Sequence, residues 1–397
     1  MSALFLGIET AGTGTHPASW RRTDSRAEDL FTAGYWTDVV TTAEALGFDA
    51  VFLPDSFAVQ DGGPGVTRGR LDAVAVAART APLTHRIGLV PQVPVTHTEP
   101  FHVSKAIAAL DFASLGRAGW EVTVSTGETE AAAFGRKKIQ DAASLWHEAD
   151  EAVEVVTRLW DSWEDDAEIR DVPTGRFIDR DRLHYIDFEG DNFSVKGPAI
   201  TPRSPQGQPI VALRADDPPS TEVAVRRADL IRITAPDLTT AATHRLALRA
   251  ALTDAGRDPD AVRVLLDLPV HQADSAASAH ADVAELDRWA QRRPGQHARA
   301  DRARDGLDQR EAAGSDHSAA EGRLRHVGTV AELDELLAEI ARSGIDGVVL
   351  QPLALHATLS ALTGHRAPSA TPTERGAFRD RLGLPRPVSR YAAGAAL

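Results

Sequence analysis

The sequence predicts an α/β protein, a (β/α)8 barrel with insertions after the fourth and seventh strands. Three observations point there. Eight short apolar runs recur along the chain, and helical patterns separate them. The stretch after the first run, TAGTGT at 10–15, lacks the G-x-G-x-x-G spacing with which an open doubly wound sheet usually begins. A length of 397 residues suits one barrel carrying insertions.

The elements follow in order. The first strand is expected at 4–8. Residues 38–46 carry Val39, Val40, Ala43 and Leu46 at helical spacing and stop at Gly47. A second strand, 50–53, closes on Pro54-Asp55. The third lies at 87–95 and the fourth at 120–125, with a helix at 101–115 between them, ended by Gly116. Strands five to seven are expected at 209–213, 230–234 and 262–270, and the eighth at 347–350. A helix at 241–255 ends at Gly256. The helix before strand eight opens on Thr329-Val330-Ala331-Glu332, a capping box in which hydroxyl and carboxylate each satisfy an orphan backbone N–H.

Two segments break the rhythm. Residues 164–208 are polar and rich in Pro and Gly, with Phe177, Tyr185, Phe188 and Phe193 expected to pin them down. Residues 286–322 are rich in Arg, Ala, Asp and Gln, the pattern of a solvated helix or a mobile loop. The Pro/Arg-rich tail after Thr371 (371–397) is expected to wrap the barrel surface. Residues 1–397 then read as a single barrel domain.

Composition excludes several classes. Hydrophobic residues at 43% and charged residues at 25% support a large core and exclude global disorder. The net charge is -14 and no Lys/Arg stripe stands out, which argues against a nucleic-acid partner. The absence of cysteine excludes disulfides, thiolate metal sites and a cysteine nucleophile. The start, MSALFL, lacks a basic segment followed by an apolar run and reads as the first strand. The apolar runs are too short for a membrane span, so a cytoplasmic protein without a membrane partner is expected.

In such a barrel the loops after the strands form the active-site face. They carry Asp55 after strand two, Thr96 and His97 after strand three, Ser125 and Thr126 after strand four, and Arg214, Asp216 and Asp217 after strand five. Asp55 reads equally as a turn residue, His97 as a satisfied surface histidine, and Trp20 as packing under the loop after strand one. There is no G-x-S-x-G elbow, H-E-x-x-H or Walker loop, and the histidines lack metal spacing, so no metal is expected. Spacing alone names no reaction.

Particular strings say more. EPFHV at 99–103, then Leu110-Asp111 and GRAGW at 116–120, resemble the E-P-Y-H-[VL]…LD…SGGRAAWN stretch of bacterial luciferase-like flavin monooxygenases. Within them, the subgroup of nitrilotriacetate and dibenzothiophene-sulfone monooxygenases is most similar. AVFLPDS at 50–56, EAAAFG at 130–135, LWDSW at 159–163, FSVKGP at 193–198, PRSPQG at 202–207 and RLGLPRPVSR at 381–390 extend the resemblance in order through the chain.

The resemblance implies a two-component system. A separate flavin reductase supplies reduced FMN, which activates O2 for oxygen insertion into a small organic substrate or for cleavage of a C–N or C–S bond. The flavin carries the chemistry while the protein binds it, orients it and excludes water, which explains the missing triad. Asp55, Thr96 and Ser125 match flavin-contacting positions, Trp146 and Ala142 stand where the family has a Tyr and a His, and Trp20 and His97 would line the substrate side. Trp146 also reads as packing. A homodimer through the barrel helices is expected.

Departures from the family pattern are equally specific. The Asn after the family's Trp is Glu121, a residue that reads as pointing into a polar layer or pairing with an Arg. The Q-A-G-A-S-type loop, whose Ser and backbone N–H groups hold the FMN phosphate, reads LRADDPPS at 213–220. Asp217 before Pro218 predicts an N-cap with proline at the first helical position, placing a carboxylate where the phosphate would sit. Arg214 offers a guanidinium that would clamp phosphate instead. The segment at 286–322 is also shorter than in relatives, the sign of a clipped substrate cover. Two other readings stay open at this point: a flavin-free paralogue acting as a binding or partner subunit, and a deazaflavin-dependent oxidoreductase.

Overall fold

The computed structural model describes residues 4–58, 69–291, 322–365 and 376–392. Eight parallel strands close into a ring: β1 (Phe5–Glu9), β2 (Ala50–Leu53), β3 (Gly88–Pro94), β4 (Gly119–Thr123), β5 (Ile210–Arg214), β6 (Leu230–Ile233), β7 (Arg263–Gln272) and β8 (Gly347–Pro352). Each pairs with the next, and β8 returns to β1 through Phe5 opposite Gly347. All eight lie where the apolar runs place them. Strands buried on both faces read as continuous hydrophobic segments, as AVFL of β2 does with all four residues buried.

Helices α1 (Ala33–Ala45), α2 (Ala73–Thr80), α3 (Pro100–Ala113), α4 (Glu128–Phe134), α5 (Ala142–Asp161), α6 (Pro218–Arg227), α7 (Leu238–Asp254), α8 (Ala276–Gln291), α9 (Val330–Ser343) and α10 (Leu355–His365) fill the connections. Helix α1 begins five residues before the expected start. Thr32 caps it, accepting the Tyr35 N–H at 3.3 Å, and its first turn buries Tyr35 and Trp36, aromatics that an aliphatic spacing misses. The Thr329 capping box of α9 is formed, with Thr329 N–H donating to Glu332 at 2.8 Å.

The insertion at 164–208 forms two small hairpins, Glu168–Asp171 with Arg176–Ile178 and Phe188–Glu189 with Ser194–Val195. Only part of the expected aromatic anchor is correct. Phe188 and Phe193 pack on a satellite core of Val155, Leu159, Trp163 and Ile186. Phe177 and Tyr185 are 60% and 58% exposed, each under a cation, Arg170 or Lys196. A two-stranded ribbon with one face on the protein turns alternate side chains to solvent. Of the polar segment at 286–322, residues 286–291 complete α8 and 292–321 lie outside the described residues.

The tail does more than wrap the surface. Helix α11 (Phe378–Arg381) plugs the N-terminal end of the barrel, where Phe378 is fully buried among Phe5, Val90, Ile210 and Leu265. Gly88 leaves room for it, because a Cβ there would stand 2.7 Å from the Phe378 ring. Arg379 locks the plug with two bonds to Asp229, at 2.9 and 2.6 Å. An open ring of strands exposes apolar side chains at its base, and this tail covers them.

Candidate active site at the barrel mouth

Alternation along each strand sets what faces the barrel axis. Above the apolar lower layer, six strands each contribute one polar residue: Glu9, Glu121, Arg214, Arg232, Asp267 and Gln351. They form one ionic lattice. Arg232, fully buried, places Nη1 3.0 Å from both oxygens of Glu121, Nη2 2.6 Å from Glu9 and Nε 2.7 Å from Asp267. Arg214 pairs with Glu9, with Glu121 at 3.1 Å and with Asp267 at 3.0 Å. Gln351 donates to Glu9 at 3.2 Å. Three carboxylates against two guanidinium groups leave this floor with one formal negative charge when all are ionised. Only Arg214, with 24% of its side chain exposed, reaches the mouth.

At the ends of β3 and β4, Thr96 and Ser125 meet: the Ser125 N–H donates to Thr96 Oγ1 at 2.9 Å. Lys137 donates to the Thr96 carbonyl at 2.8 Å and is paired with the buried Glu148, which also accepts from Gln140. His97 stacks on Phe134 with ring centroids 4.7 Å apart. Burial, and then the charge of Lys137, pushes the His97 pKa below its ordinary value, which favours the neutral imidazole. Among the described residues, its two ring nitrogens and Ser125 Oγ are buried polar atoms without a hydrogen-bond partner. Such atoms are costly to leave unmet and mark where a ligand would supply the missing partner.

Around strand five the prediction of a capped helix is correct. Asp217 accepts the Ser220 N–H at 2.7 Å and Pro218 opens α6. The Ser220 hydroxyl accepts the N–H groups of Asp216 and Asp217 at 3.1 and 3.0 Å. Arg214, expected as a phosphate clamp, instead directs its guanidinium into the lattice, because three carboxylates lie within reach there. Burial pushes the Asp216 carboxyl up, against the pull of Arg214.

The remaining expected residues are more dispersed. Asp55 serves its own turn: one oxygen accepts the Ser56 N–H at 2.7 Å and the other accepts the first N–H of α2, from Ala73, at 2.9 Å. Burial raises its pKa despite these donors. Trp146 is buried in the main core, and Trp20 is half-buried on the short turn Ser19–Arg21. On the outer face of α5, the ligand atoms of His147, Glu151 and Asp191 lie within 4.8 Å of one another, but both Glu151 oxygens already accept loop N–H groups, from Asp191 and Asn192.

The family model described as "Luciferase-like monooxygenase" matches residues 5–347, nearly the whole barrel. The chain belongs to the luciferase-like monooxygenase family. It is 34% identical over 281 residues to N-acetyl-S-(2-succino)cysteine monooxygenase of Bacillus subtilis, covering 71% of this chain and 64% of the relative. It is 31% identical over 288 residues to nitrilotriacetate monooxygenase component A of Aminobacter aminovorans, covering 70% and 64%. The chain thus aligns with somewhat less than two thirds of the length of these relatives. A crystal structure of riboflavin lyase with modified FMN and substrate riboflavin superposes with a TM-score of 0.80 at 26% identity, covering 96% of each chain.

Within this member of the family, sequence reasoning missed Glu9, Arg232, Asp267, Gln351, Lys137 and Glu148. A signal existed for three of them. A charge at the inward parity within an otherwise apolar run, as in FLGIE, LIRI and VLLDLPV, announces a polar layer inside the barrel. Much of what carried the resemblance is framework. Asp111 accepts from the Ala118 N–H and from Gln206, and Arg117 donates to the carbonyls of Ala81, Thr84 and Ile87.

Proposed function

We propose that this chain is the oxygenase component of a two-component, reduced-flavin-dependent monooxygenase that acts in the cytoplasm on a small organic substrate. A separate reductase would deliver the reduced flavin, FMN in the family pattern, and the bound flavin would supply the electrons that activate O2. The observation that carries the reading is the group of buried, unpartnered polar atoms of Ser125 and His97 beside Thr96, at the C-terminal ends of two barrel strands. Family membership alone would be a weaker warrant.

The residues at the ends of β3 and β4 fit the polar edge of a flavin ring and its substrate. Ser125 Oγ would meet the flavin, and His97, held flat on Phe134, would face the substrate with a neutral imidazole. The phosphate end does not fit. The first turn of α6 has no free donor: Pro218 and Pro219 carry no N–H, the Ser220 N–H is taken by Asp217, and the Thr221 N–H donates to the Asp217 carbonyl at 2.9 Å. The same capped turn favours a second reading, a flavin-free paralogue acting as a binding or partner subunit.

Anaerobic titration with reduced flavins, FMN and riboflavin both, separates the two. Saturable binding in the micromolar range, together with substrate-dependent O2 uptake when a generic flavin reductase is supplied, supports the oxygenase. A folded protein that binds neither flavin in either redox state sinks it and leaves the flavin-free subunit.

A further inference from the structure

The blocked end of α6 has a positive consequence for which flavin the mouth accepts. Three features act together. Helix α6 presents its own carboxylate, Asp217, at the N-terminus, where backbone donors and the helix dipole would otherwise attract an anion. Two successive prolines remove the donors that a phosphate would use. The guanidinium nearest in sequence, Arg214, is shared among Glu9, Glu121 and Asp267. Outside the lattice, Arg323 exerts a Coulombic pull on Asp216, weaker than that of Arg214. A dianion brought to this turn would meet Asp216 and Asp217 with no N–H to bind it. A neutral alcohol would meet a carboxylate able to accept its O–H.

We propose that this site selects a flavin whose ribityl chain ends in a neutral hydroxyl, riboflavin in preference to FMN, with Asp217 as the residue that excludes the phosphate. The proposal rests on the flavin reading above and specifies its ligand. It also accounts for Asp217 and the paired prolines together, which a loss of flavin binding would not require.

The test is a parallel anaerobic titration of the full chain with riboflavin and FMN, oxidised and reduced, followed by flavin absorbance and fluorescence. Wild-type protein is expected to bind riboflavin at least tenfold more tightly than FMN. Asp217→Asn retains a capping side chain while removing its charge, and Asp217→Ser retains a cap and opens space. Each is expected to strengthen FMN binding at least tenfold while leaving riboflavin affinity unchanged or weaker, since the carboxylate that accepts the ribityl O–H is replaced. A second readout keeps the result independent of these variants: inorganic phosphate should leave riboflavin binding to the wild-type protein unchanged. FMN bound as tightly as riboflavin or more tightly by wild type would overturn the proposal while leaving the flavin reading intact. Variants that strengthen both flavins equally would also overturn it, since Asp217 would then not discriminate. Binding of neither flavin would overturn both.

Discussion

Arg214 Nε lies 3.1 Å from Glu121 Oε1. The sequence reads both residues as departures from the resembled pattern, one on β4 and one at the end of β5, and they meet inside the barrel. A carboxylate placed in that position is costly unless a cation accompanies it, and Arg214 supplies part of that compensation. The two residues thus form one structural unit, and a pairwise experiment should detect their coupling. Arg214→Ala is expected to destabilise the fold by about 3 kcal/mol, because three carboxylates would then share Arg232. Adding Glu121→Gln should restore about 1–2 kcal/mol of that loss. Urea denaturation of the four members of the cycle checks this; strictly additive effects would show that the pair is not coupled.

Acid should loosen the same lattice. Burial pushes the Glu9 carboxyl up, but Arg214 and Arg232 outweigh it and hold its pKa down at about 2, below the ordinary 4.5. A folded-state pKa below the unfolded one stabilises the fold fully above about pH 4.5, and the contribution disappears as the pH falls toward 2. Glu154, drawn down to about 2 chiefly by Arg158, Arg227 and Arg390 against burial, has the same sign. Stability measured from pH 6 to pH 2 should therefore fall steeply below about pH 4.5, and Glu9→Gln should flatten that limb while lowering stability near neutrality. An unchanged slope in the variant would count against the assignment.

His97 carries the same sign of pH dependence in a higher window. Burial and Lys137 depress its pKa, so the fold favours the neutral ring, and that contribution is lost as the pH drops below the ordinary 6.5. The NMR midpoint of the His97 ring should lie below 6.5, and Lys137→Met should raise it, because Glu130 and Glu148 pull the other way. A midpoint at or above the ordinary value would mean that the ring is solvated and not held on Phe134.

The tail plug is testable through packing. Phe378→Ala would open a cavity at the barrel base and is expected to cost about 3–5 kcal/mol. Gly88→Ala would press a methyl group onto the same ring and is expected to cost about 1–3 kcal/mol. Combining Gly88→Ala with Phe378→Leu should cost less than the sum of the two single changes, measured by denaturant midpoints, because each relieves the other. Full additivity would place the ring elsewhere.

The parts legible in the sequence are those whose physical cause is local. A buried parallel strand must be apolar along its length, so 50–53 and 347–350 announce themselves. The Asp217 cap with Pro218 is a matter of a few adjacent residues, and the same holds for the Thr329 capping box. The flavin-like strings were legible as strings, though the structure shows that Asp111 and Arg117 brace the barrel.

What the tertiary structure decided depends on residues far apart in the chain. The partners of Arg214 come from β1, β4 and β7, at sequence separations that no spacing rule spans. Parity along a strand says that Glu9 or Arg232 faces inward, but which inward groups share a layer depends on how the closed ring staggers its strands. Phe378 is likewise an ordinary residue of a polar tail until Gly88 leaves a space for it. The sequence by itself determined the barrel, its caps and the blocked end of α6, because neighbours a few residues apart dictate them. Only closure of the barrel decided that Arg214 faces the lattice and not the helix, since the electrostatic balance of buried charges is set by distances that only the fold creates.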